Sequence, residues 1–246
     1  MTALGVISDV HGNLPALEAA LAFLDQTGVK DVVCCGDVVG YGPWPNDCVE
    51  RVAARAGCCV LGNHDAAAVG RLQAGHWSGA AGAALRWTAA ELSEASRAFL
   101  NARPETAEHR GHFVVHGSPR EPLWEYLTDR WTAYANFHHF EQALGWFGHS
   151  HLPTVFALRG GDVQGGRIAG EQTVALDPGA RYLINPGSVG QPRDGDGRLA
   201  LAVYEEDAAG RRVRFCRLAY PVERVAAPVR AAGLPASLYN RLKQGR

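Results

Sequence analysis

The chain has 246 residues, of which 47% are hydrophobic and 20% are charged, and its 24 Lys and Arg residues nearly balance 25 Asp and Glu residues. This composition is typical of one globular domain and excludes a collagen, a coiled coil or a largely disordered chain. The formal net charge of -1 also argues against a dedicated nucleic-acid-binding protein, because such proteins need a basic face for the phosphates.

Nothing in the chain predicts export or membrane insertion. Residues 1–9 lead straight into an apolar, strand-like segment, without the basic start and cleavage site of a signal peptide. No run of about 20 apolar residues is free of charges and breakers. The six cysteines form no CxxC pair, so we expect them to be small buried side chains rather than disulfides or zinc ligands. We therefore expect a cytoplasmic protein.

Short apolar runs alternate with amphipathic segments along the chain, which predicts an α/β layered domain. The runs expected to be buried strands are residues 4–8, 32–35, 58–61, 113–115, 146–147, 182–184, 199–204 and 213–218. Helices are expected after Asn13, over 47–56, from a capping box at Thr88 toward Leu100, over 132–144 and in a tail over 222–246. The Gly-rich stretch 159–170 is interpreted as a surface turn. Residues 1–246 are expected to form a single domain, with its motifs inside 4–204.

Nearly every one of these strands ends in a short cluster of Asp, His, Asn and Gly. In chain order the clusters are DVHGN (9–13), GD (36–37), GNHD (62–65), HGS (116–118) and GHSH (148–151). The carboxyl ends of strands in an open α/β sheet border the crevice where ligands bind, so we expect the clusters to converge. The DxH and HxH spacings place both side chains of each pair on one side of an extended segment.

Seven side chains in these clusters are of types that bind metal ions: Asp9, His11, Asp37, Asn63, His116, His149 and His151. One cluster alone is weak, because Asp or Asn beside glycine usually caps a helix or a turn. Five clusters in succession are hard to explain as caps, and seven ligands are too many for one ion. The sequence therefore predicts a site for two divalent ions. Carboxylate, amide and imidazole ligands without a thiolate suit manganese, iron or zinc.

The order of these motifs resembles the calcineurin-like metallophosphoesterase superfamily. The segments GDVVGYGP (36–43), VHGSPR (115–120) and NPGSVGQPRDGD (185–196) resemble its small single-domain bacterial phosphodiesterases. The resemblance implies a four-layer α/β/β/α sandwich of two mixed sheets flanked by helices. It also implies two ligand sets: Asp9, His11 and His151 hold one ion, Asn63, His116 and His149 hold the other, and Asp37 bridges them.

Such a centre predicts hydrolysis of a phosphodiester or a phosphomonoester. A hydroxide that bridges the two ions, formed from water whose pKa is lowered toward about 7, would attack phosphorus in line. His64 is the expected general acid, and Asp65 could raise its pKa or fix its orientation. Candidate substrate contacts are Asn13, Tyr41, Arg120 and Arg193, for which turn chemistry or a solvated charge is the alternative. The turn at 185–188 is expected to pack against the rim of the site.

Other functions fit the same motifs. A dinucleotide polyphosphate hydrolase and a protein phosphatase remain alternatives, whereas a DNA nuclease is disfavoured by the near-neutral charge. A non-enzymatic binding scaffold on the same fold could dispense with ligands, but this chain has all of them. The expected partner is a small phosphoester, with no nucleic-acid or membrane surface, and a homo-oligomer is compatible with the sequence. Tryptophans between the motifs, Trp77, Trp87, Trp124 and Trp131, are expected in the core or at an interface rather than in a base-stacking platform.

Overall fold

The computed structural model describes residues 2–73 and 77–246. Within them the strands are β1 Thr2–Ile7, β2 Val32–Cys34, β3 Cys58–Cys59, β4 Thr106–His109, β5 His112–Val115, β6 Leu144–Trp146, β7 Thr154–Arg159, β8 Asp162–Arg167, β9 Gln172–Leu176, β10 Arg181–Asn185, β11 Leu199–Asp207 and β12 Gly210–Leu218. The helices are α1 Leu14–Gln26, α2 Pro45–Arg55, α3 Asn63–Ala68, α4 Gly79–Glu91, α5 Glu94–Asn101, α6 Arg130–Asn136, α7 Ala226–Ala231 and α8 Ala236–Gln244, with a 3-10 turn at Val222–Val225.

The strands form two mixed sheets of six strands each. The first has the order β3-β2-β1-β11-β12-β9 and the second the order β4-β5-β6-β10-β7-β8. In the first sheet β1, β2 and β3 run parallel, and in the second β5, β6 and β10 do. Each sheet therefore directs the carboxyl ends of three neighbouring strands toward one edge.

Four layers follow from where the apolar side chains lie. Residues such as Val6, Val33, Trp146 and Ile184 fill the space between the two sheets. On the outer face of the first sheet, α1 and α2 bury a second apolar cluster that includes Leu17. Helix α6 covers the outer face of the second sheet. The predicted four-layer sandwich of two mixed sheets flanked by helices is confirmed.

The helix at residues 14–26 forms for the reasons that its sequence indicates. The side-chain oxygen of Asn13 accepts a hydrogen bond from the amide of Ala16 at 3.3 Å, and Pro15 occupies the first turn. Its apolar positions recur on the face that packs against the first sheet, where Leu17, Ala20 and Leu24 are fully buried.

Three local predictions are wrong. Thr88 caps no helix: it lies buried inside α4, and Ser93 caps α5 by accepting a hydrogen bond from the Ser96 amide at 3.1 Å. The stretch 159–170 is not a simple turn but contains β8, which pairs with β7 through a tight turn at Gly160 and Gly161. The helix expected over 132–144 ends at residue 136, and residues 144–146 are not helical but pair with β5 and β10 in the second sheet.

The helical tail packs against the loop that follows β2. Val225, Val229, Leu238 and Leu242 are buried together with Tyr41 in one apolar cluster. All six cysteines are free, and each is buried or half-buried, as the sequence predicts. Among the described residues, no helix is both long and apolar enough to cross a membrane.

Candidate metal centre

Backbone hydrogen bonds bring the polar clusters of the first sheet side by side. The amides of Asp9 and His11 donate to the carbonyl oxygens of Gly36 and Asp37, at 3.0 and 2.9 Å. From the second sheet, the turn after β10 packs against the same backbone, since the Ser188 hydroxyl donates to the Asp9 carbonyl at 2.8 Å. The turn at 185–188 thus lies at the rim of the site, as predicted, and the two sheets meet at this edge.

Two buried Asp/His clusters of metal-binding type lie at this edge, and they share Asp9. In the first, Nε2 of His151 lies 3.3 Å from Oδ1 of Asp9 and 3.2 Å from Nε2 of His11. In the second, Oδ2 of Asp37 lies 3.4 Å from Nε2 of His116. The same oxygen is 3.6 Å from Nε2 of His11, so Asp37 sits between the histidines of both clusters. That position fits the bridging role which the resemblance assigns to Asp37.

Asn63 and His149 complete the seven predicted ligands. Oδ1 of Asn63 is 3.1 Å from Nε2 of His116, and the His149 ring centroid is 5.0 Å from that of His116. Nε2 of His149 lies 3.3 Å from the carbonyl oxygen of Trp124, which leaves Nδ1 as the ring nitrogen for an ion. The structure therefore brings all seven side chains together at one edge of the sheets.

The hydrogen bonds of two histidines give a separate reason why these side chains suit divalent cations. Nδ1 of His11 and Nδ1 of His151 lie 3.1 and 2.5 Å from the carbonyl oxygens of Val39 and Gln191. A carbonyl only accepts, so each Nδ1 carries the hydrogen and each Nε2 presents a lone pair. These lone pairs face one another beside the Asp9 carboxylate, whose buried oxygens accept no hydrogen bond of good geometry from the described residues. Such an arrangement of lone pairs and negative charge is suited to binding a cation.

Left-handed backbone conformations concentrate at the same place. Five of the seven predicted ligands have positive φ angles, namely Asp9 (54°), His11 (50°), Asp37 (53°), His149 (63°) and His151 (61°). Each non-glycine residue in this region costs on the order of 1 kcal/mol or more, and such residues cluster at functional sites. The backbone here is shaped for the placement of side chains rather than for its own stability.

The glycines of the motifs allow the carboxylates to approach the backbone. A Cβ atom on Gly62 would overlap Oδ1 of Asp37, and one on Gly148 would overlap the hydroxyl of Ser8 and contact Asp9. Glycine therefore precedes Asn63 and His149 for a steric reason, and a side chain at either position would displace a carboxylate from the centre.

Burial and mutual charge shift the pKa values of the acidic and basic groups strongly. Burial raises the pKa of Asp9 to about 7, assisted by the charge of Asp37 and opposed by His116. Burial favours neutral His116, but the Asp37 carboxylate outweighs that effect and raises the pKa of His116 to about 10. Although burial alone would raise the pKa of Asp37, His116 and His64 hold it well below its usual range. Asp37 thus stays ionised, as an anionic ligand must.

His64 lies in the first turn of α3 and faces the centre. Its amide donates to Oδ1 of Asp37 at 2.9 Å, and its ring centroid lies 4.9 Å from that of His11 and 4.6 Å from that of Tyr41. Burial lowers the pKa of His64 to about 4, so the ring is neutral at pH 7. The general-acid role of His64 stays a prediction, and its position beside the centre is compatible with that role.

Asp65 has a different role from the one predicted. Its Oδ1 accepts from the amide of Val39 at 2.9 Å and its Oδ2 from the amide of Gly62 at 3.1 Å. Among the described residues no hydrogen bond joins it to the His64 ring. Asp65 fixes the backbone that carries the ligands, because its fully buried carboxylate bonds the loops after β2 and β3 together.

A cavity of about 260 Å³ opens onto the centre, and two of the four candidate substrate contacts line it. These are Tyr41, which is buried beside His11 and His64, and Arg193. Nη2 of Arg193 lies 3.4 Å from the hydroxyl of Tyr41, and its buried Nε has no hydrogen-bond partner among the described residues. An unpaired donor on a guanidinium beside a metal centre suits an anionic ligand.

The other two candidate contacts are used elsewhere. Asn13 is buried, where it caps α1 and donates through Nδ2 to the Gly190 carbonyl at 2.9 Å. Arg120 is exposed at the surface, and its Nε lies 2.9 Å from both carboxylate oxygens of Glu125. Both side chains have structural partners and neither lines this cavity, so contact with a substrate stays a prediction for Asn13 and Arg120.

Sequence reasoning missed three aromatic residues that line the same cavity: Trp77, Trp124 and Tyr126. Two of them had been expected in the core or at an interface. The position of Trp124 and Tyr126 could have been inferred, because they follow the motif that carries His116 by only a few residues. Trp77 carried no such signal, since it is far in sequence from any ligand.

Comparison with known proteins gives the same family as the motifs. Residues 2–208 match the calcineurin-like phosphoesterase superfamily domain. Uncharacterized protein MJ0912 of Methanocaldococcus jannaschii is 34% identical over 248 residues, which cover 99% of this chain and 98% of that protein. The chain therefore belongs to the calcineurin-like phosphoesterase superfamily, and the predicted resemblance is confirmed.

Solved structures agree in fold over the whole chain. A metallophosphoesterase from Sphaerobacter thermophilus is 40% identical, with a TM-score of 0.87, over 100% of this chain and 99% of that one. Hypothetical protein PH1004 from Pyrococcus horikoshii OT3 is 20% identical, with a TM-score of 0.79, over 100% and 99% of the two chains. The second likeness concerns the fold alone. Because both relatives are matched along almost their full length, the helical tail beyond residue 208 also falls within the comparison.

Proposed function

We propose that this chain is a metal-dependent phosphoester hydrolase that cleaves phosphodiesters and works with two divalent ions. The observation that carries the proposal is the position of Asp37, whose Oδ2 lies between Nε2 of His11 and Nε2 of His116 in a buried cluster open to a cavity. The first ion would be held by Asp9, His11 and His151, the second by Asn63, His116 and His149, and both by Asp37. When bound, the ions would activate water for attack and offset the charge of the phosphoryl group.

The protein's own groups bind and orient the ester. Arg193 is placed to donate from Nε and Nη2 to a phosphoryl oxygen, where its charge would act in a largely buried and weakly screened site. Tyr41, packed against the rings of His11 and His64, limits the space beside the centre and holds the guanidinium through its hydroxyl. This combination favours a tetrahedral anion over a neutral carbonyl substrate.

His64 is placed to assist the leaving group. Its ring lines the cavity, and a neutral imidazole still carries one N–H that can donate to a departing alkoxide. Donation to the leaving oxygen requires no protonated histidine in the free protein, which agrees with the lowered pKa of His64. The backbone amide of His64 donates a hydrogen bond to Asp37, which fixes the position of His64 relative to the proposed ligands.

The test is hydrolysis of bis(p-nitrophenyl) phosphate and of p-nitrophenyl phosphate by protein stripped of metal and then reloaded with manganese, iron or zinc. We expect diester hydrolysis to return with metal and to fall at least about 10³-fold in Asp37→Asn, which keeps the shape of the side chain but removes its charge. A matched control is Asp129→Asn at the N-cap of α6, a residue that does not line the cavity, for which activity should be unchanged. Equal activity of the wild type and Asp37→Asn, or turnover by stripped protein, would contradict the proposal.

A further inference from the structure

The cavity at the metal centre has an aromatic wall, which we define as Trp77, Trp124 and Tyr126. The ring centroids of Trp77 and Trp124 are 5.2 Å apart, and that of Trp77 lies 5.6 Å from the His64 ring. Tyr126 stacks on His149 with centroids 3.9 Å apart. The wall thus runs from the proposed leaving-group acid to a proposed metal ligand, along one side of the cavity.

Parts of this wall face solvent at the mouth of the cavity. Trp124 is 40% exposed and Tyr126 is 48% exposed, whereas most large apolar side chains of the described residues are buried. Isolated exposed aromatics are common, but here they line the cavity that also contains Asp37 and Arg193. The exposed rings are therefore part of a binding site rather than of an unrelated surface.

The two sides of the cavity differ in chemistry. Arg193 and the ligand cluster provide charge for a phosphoryl group, and the wall provides flat apolar faces with polar edges. At about 260 Å³ the cavity is smaller than the ~300–1,000 Å³ typical of pockets that enclose a whole ligand. A substrate of moderate size would place its phosphoryl group inside and the remainder against the exposed rings.

We propose that the aromatic wall binds the base of a nucleoside phosphoester, so that the substrate is a nucleotide rather than an alkyl or sugar phosphoester. This inference rests on the proposed function. Aromatic side chains stack on nucleobases because both have flat π-faces, and each stacked base contributes a five- to more than one-hundred-fold gain in affinity, about 1–3 kcal/mol. An aliphatic ester would gain only apolar contact from the same surface. The near-neutral charge of the chain favours a single nucleotide unit over a long strand.

The test compares two ligands that differ only in the base. One is the phosphonate analogue of AMP in which a methylene group replaces the 5′ ester oxygen, and the other is the same analogue of ribose 5-phosphate. Neither can be hydrolysed at that position, so the affinities measure binding alone. Both are titrated by calorimetry into protein loaded with two equivalents of manganese. The variants are Trp124→Leu and, as the matched control, Trp131→Leu, since Trp131 is 77% exposed and does not line this cavity.

We expect the base-bearing phosphonate to bind the wild type at least about ten-fold more tightly. In Trp124→Leu the ratio should fall below about three-fold, while Trp131→Leu keeps the wild-type ratio. The leucine keeps the backbone carbonyl at position 124 that lies near His149, so the metal centre is preserved. A wild-type ratio near one, or a ratio that Trp124→Leu leaves unchanged, would overturn the inference alone. Absence of binding by both phosphonates would instead contradict the proposed phosphoester site.

Discussion

His64 is the residue at which burial and chemistry compete most directly. It needs a hydrogen on the nitrogen that faces the leaving group, yet burial lowers its pKa to about 4 and so disfavours the charged ring. A neutral hydrogen-bond donor helps little when the leaving group is already a stable anion, but it stabilises the greater negative charge that develops on a departing alkoxide. The contribution of His64 to kcat should therefore depend on the leaving group.

We expect His64→Gln to lower kcat by about 10²-fold or more for an alkyl leaving group, and by a much smaller factor for p-nitrophenolate. Steady-state kinetics on a pair of diesters with these leaving groups measures the effect, and metal content measured in parallel establishes that both ions stay bound. Equal losses on the two substrates would show that His64 acts on the metal centre and not on the leaving group.

For single residues, the sequence restricts the candidate metal ligands more tightly than the candidate substrate contacts. Metal coordination restricts both the residue type and the spacing of its ligands, so the sequence alone points to Asp9, His11 and His151. Asn13 and Arg120 have no such restriction, and the structure commits one to a helix cap and the other to Glu125. What a flexible polar side chain contacts is decided by partners from distant parts of the chain, which local sequence does not contain.

Among the elements, the contact between the two sheets includes a histidine, His112, at the start of β5. Its ring lies edge-on to Tyr204 of the first sheet, with centroids 4.8 Å apart, and Nδ1 accepts from the indole N–H of Trp146 at 2.9 Å. Burial lowers the pKa of His112 to about 4, although the charge of Glu206 acts in the opposite direction. His112 is therefore a neutral acceptor between the layers.

This geometry gives the free energy of unfolding a pH dependence. Between pH 6.5 and about 4 the unfolded chain protonates residue 112 and the folded chain does not, so stability falls as the pH falls through that window. We expect the wild type to lose about 2–3 kcal/mol more than His112→Gln between pH 7 and 4.5. Urea unfolding at both pH values measures the difference, with the exposed His138→Gln as control. Parallel pH profiles for wild type and His112→Gln would refute the assignment.

The boundaries of an element could be predicted where its own local sequence determines them. Helix α1 follows its own cap, proline and apolar face, and these agree with its packing. By contrast β8 has an exposed, Gly-rich sequence, DVQGGR, that has little strand propensity; it forms because β7 offers a free edge next to it. Pairing partners of this kind come from the tertiary structure, and sequence periodicity does not report them.

For the molecule as a whole, the helical tail supports the site from outside the motifs. Gly195, two residues after Arg193, donates its amide to the carbonyl of Gly245 at 2.9 Å, and Leu242 packs in the cluster that contains Tyr41. The tail thus holds both residues that we place at the phosphoryl group. The tail lies beyond residue 208, where the family match ends, but it is covered by the alignment with the metallophosphoesterase from Sphaerobacter thermophilus.

We expect Leu242→Ala to lower stability by about 2–3 kcal/mol, because a nearly buried side chain leaves a cavity. Since Tyr41 and Arg193 lose support together, KM for a phosphodiester should also rise several-fold. Lys243→Ala, which removes an exposed ion pair with Glu223 and a cation–π contact with Tyr239, is the matched control and should change neither quantity much. An unchanged KM in a destabilised Leu242→Ala protein would separate the tail from the site.

Metal removal should affect the molecule and not only its activity. Ligands bind the folded state alone, and occupancy at about 100 times Kd corresponds to about 2.7 kcal/mol of stabilisation. For a chain of this size that is about 5–10 °C in the unfolding midpoint. Differential scanning calorimetry with and without a chelator measures the shift, and Asp37→Asn should show little further loss on chelation. An unfolding midpoint that is the same with and without the chelator would contradict a two-ion centre.

The two proposed ligand sets draw on both sheets. Asp9 and His11 follow β1 and His151 follows β6, whereas Asn63 follows β3 and His116 and His149 follow β5 and β6. Each ion would therefore cross-link the two sheets of the sandwich. Like a disulfide, it would close long loops of the chain, but the cross-link would be lost when the metal dissociates. Metal binding would then be coupled to the contact between the two sheets at this edge. In hydrogen exchange of the metal-free protein, we expect the strand ends around the centre to open before the rest of either sheet.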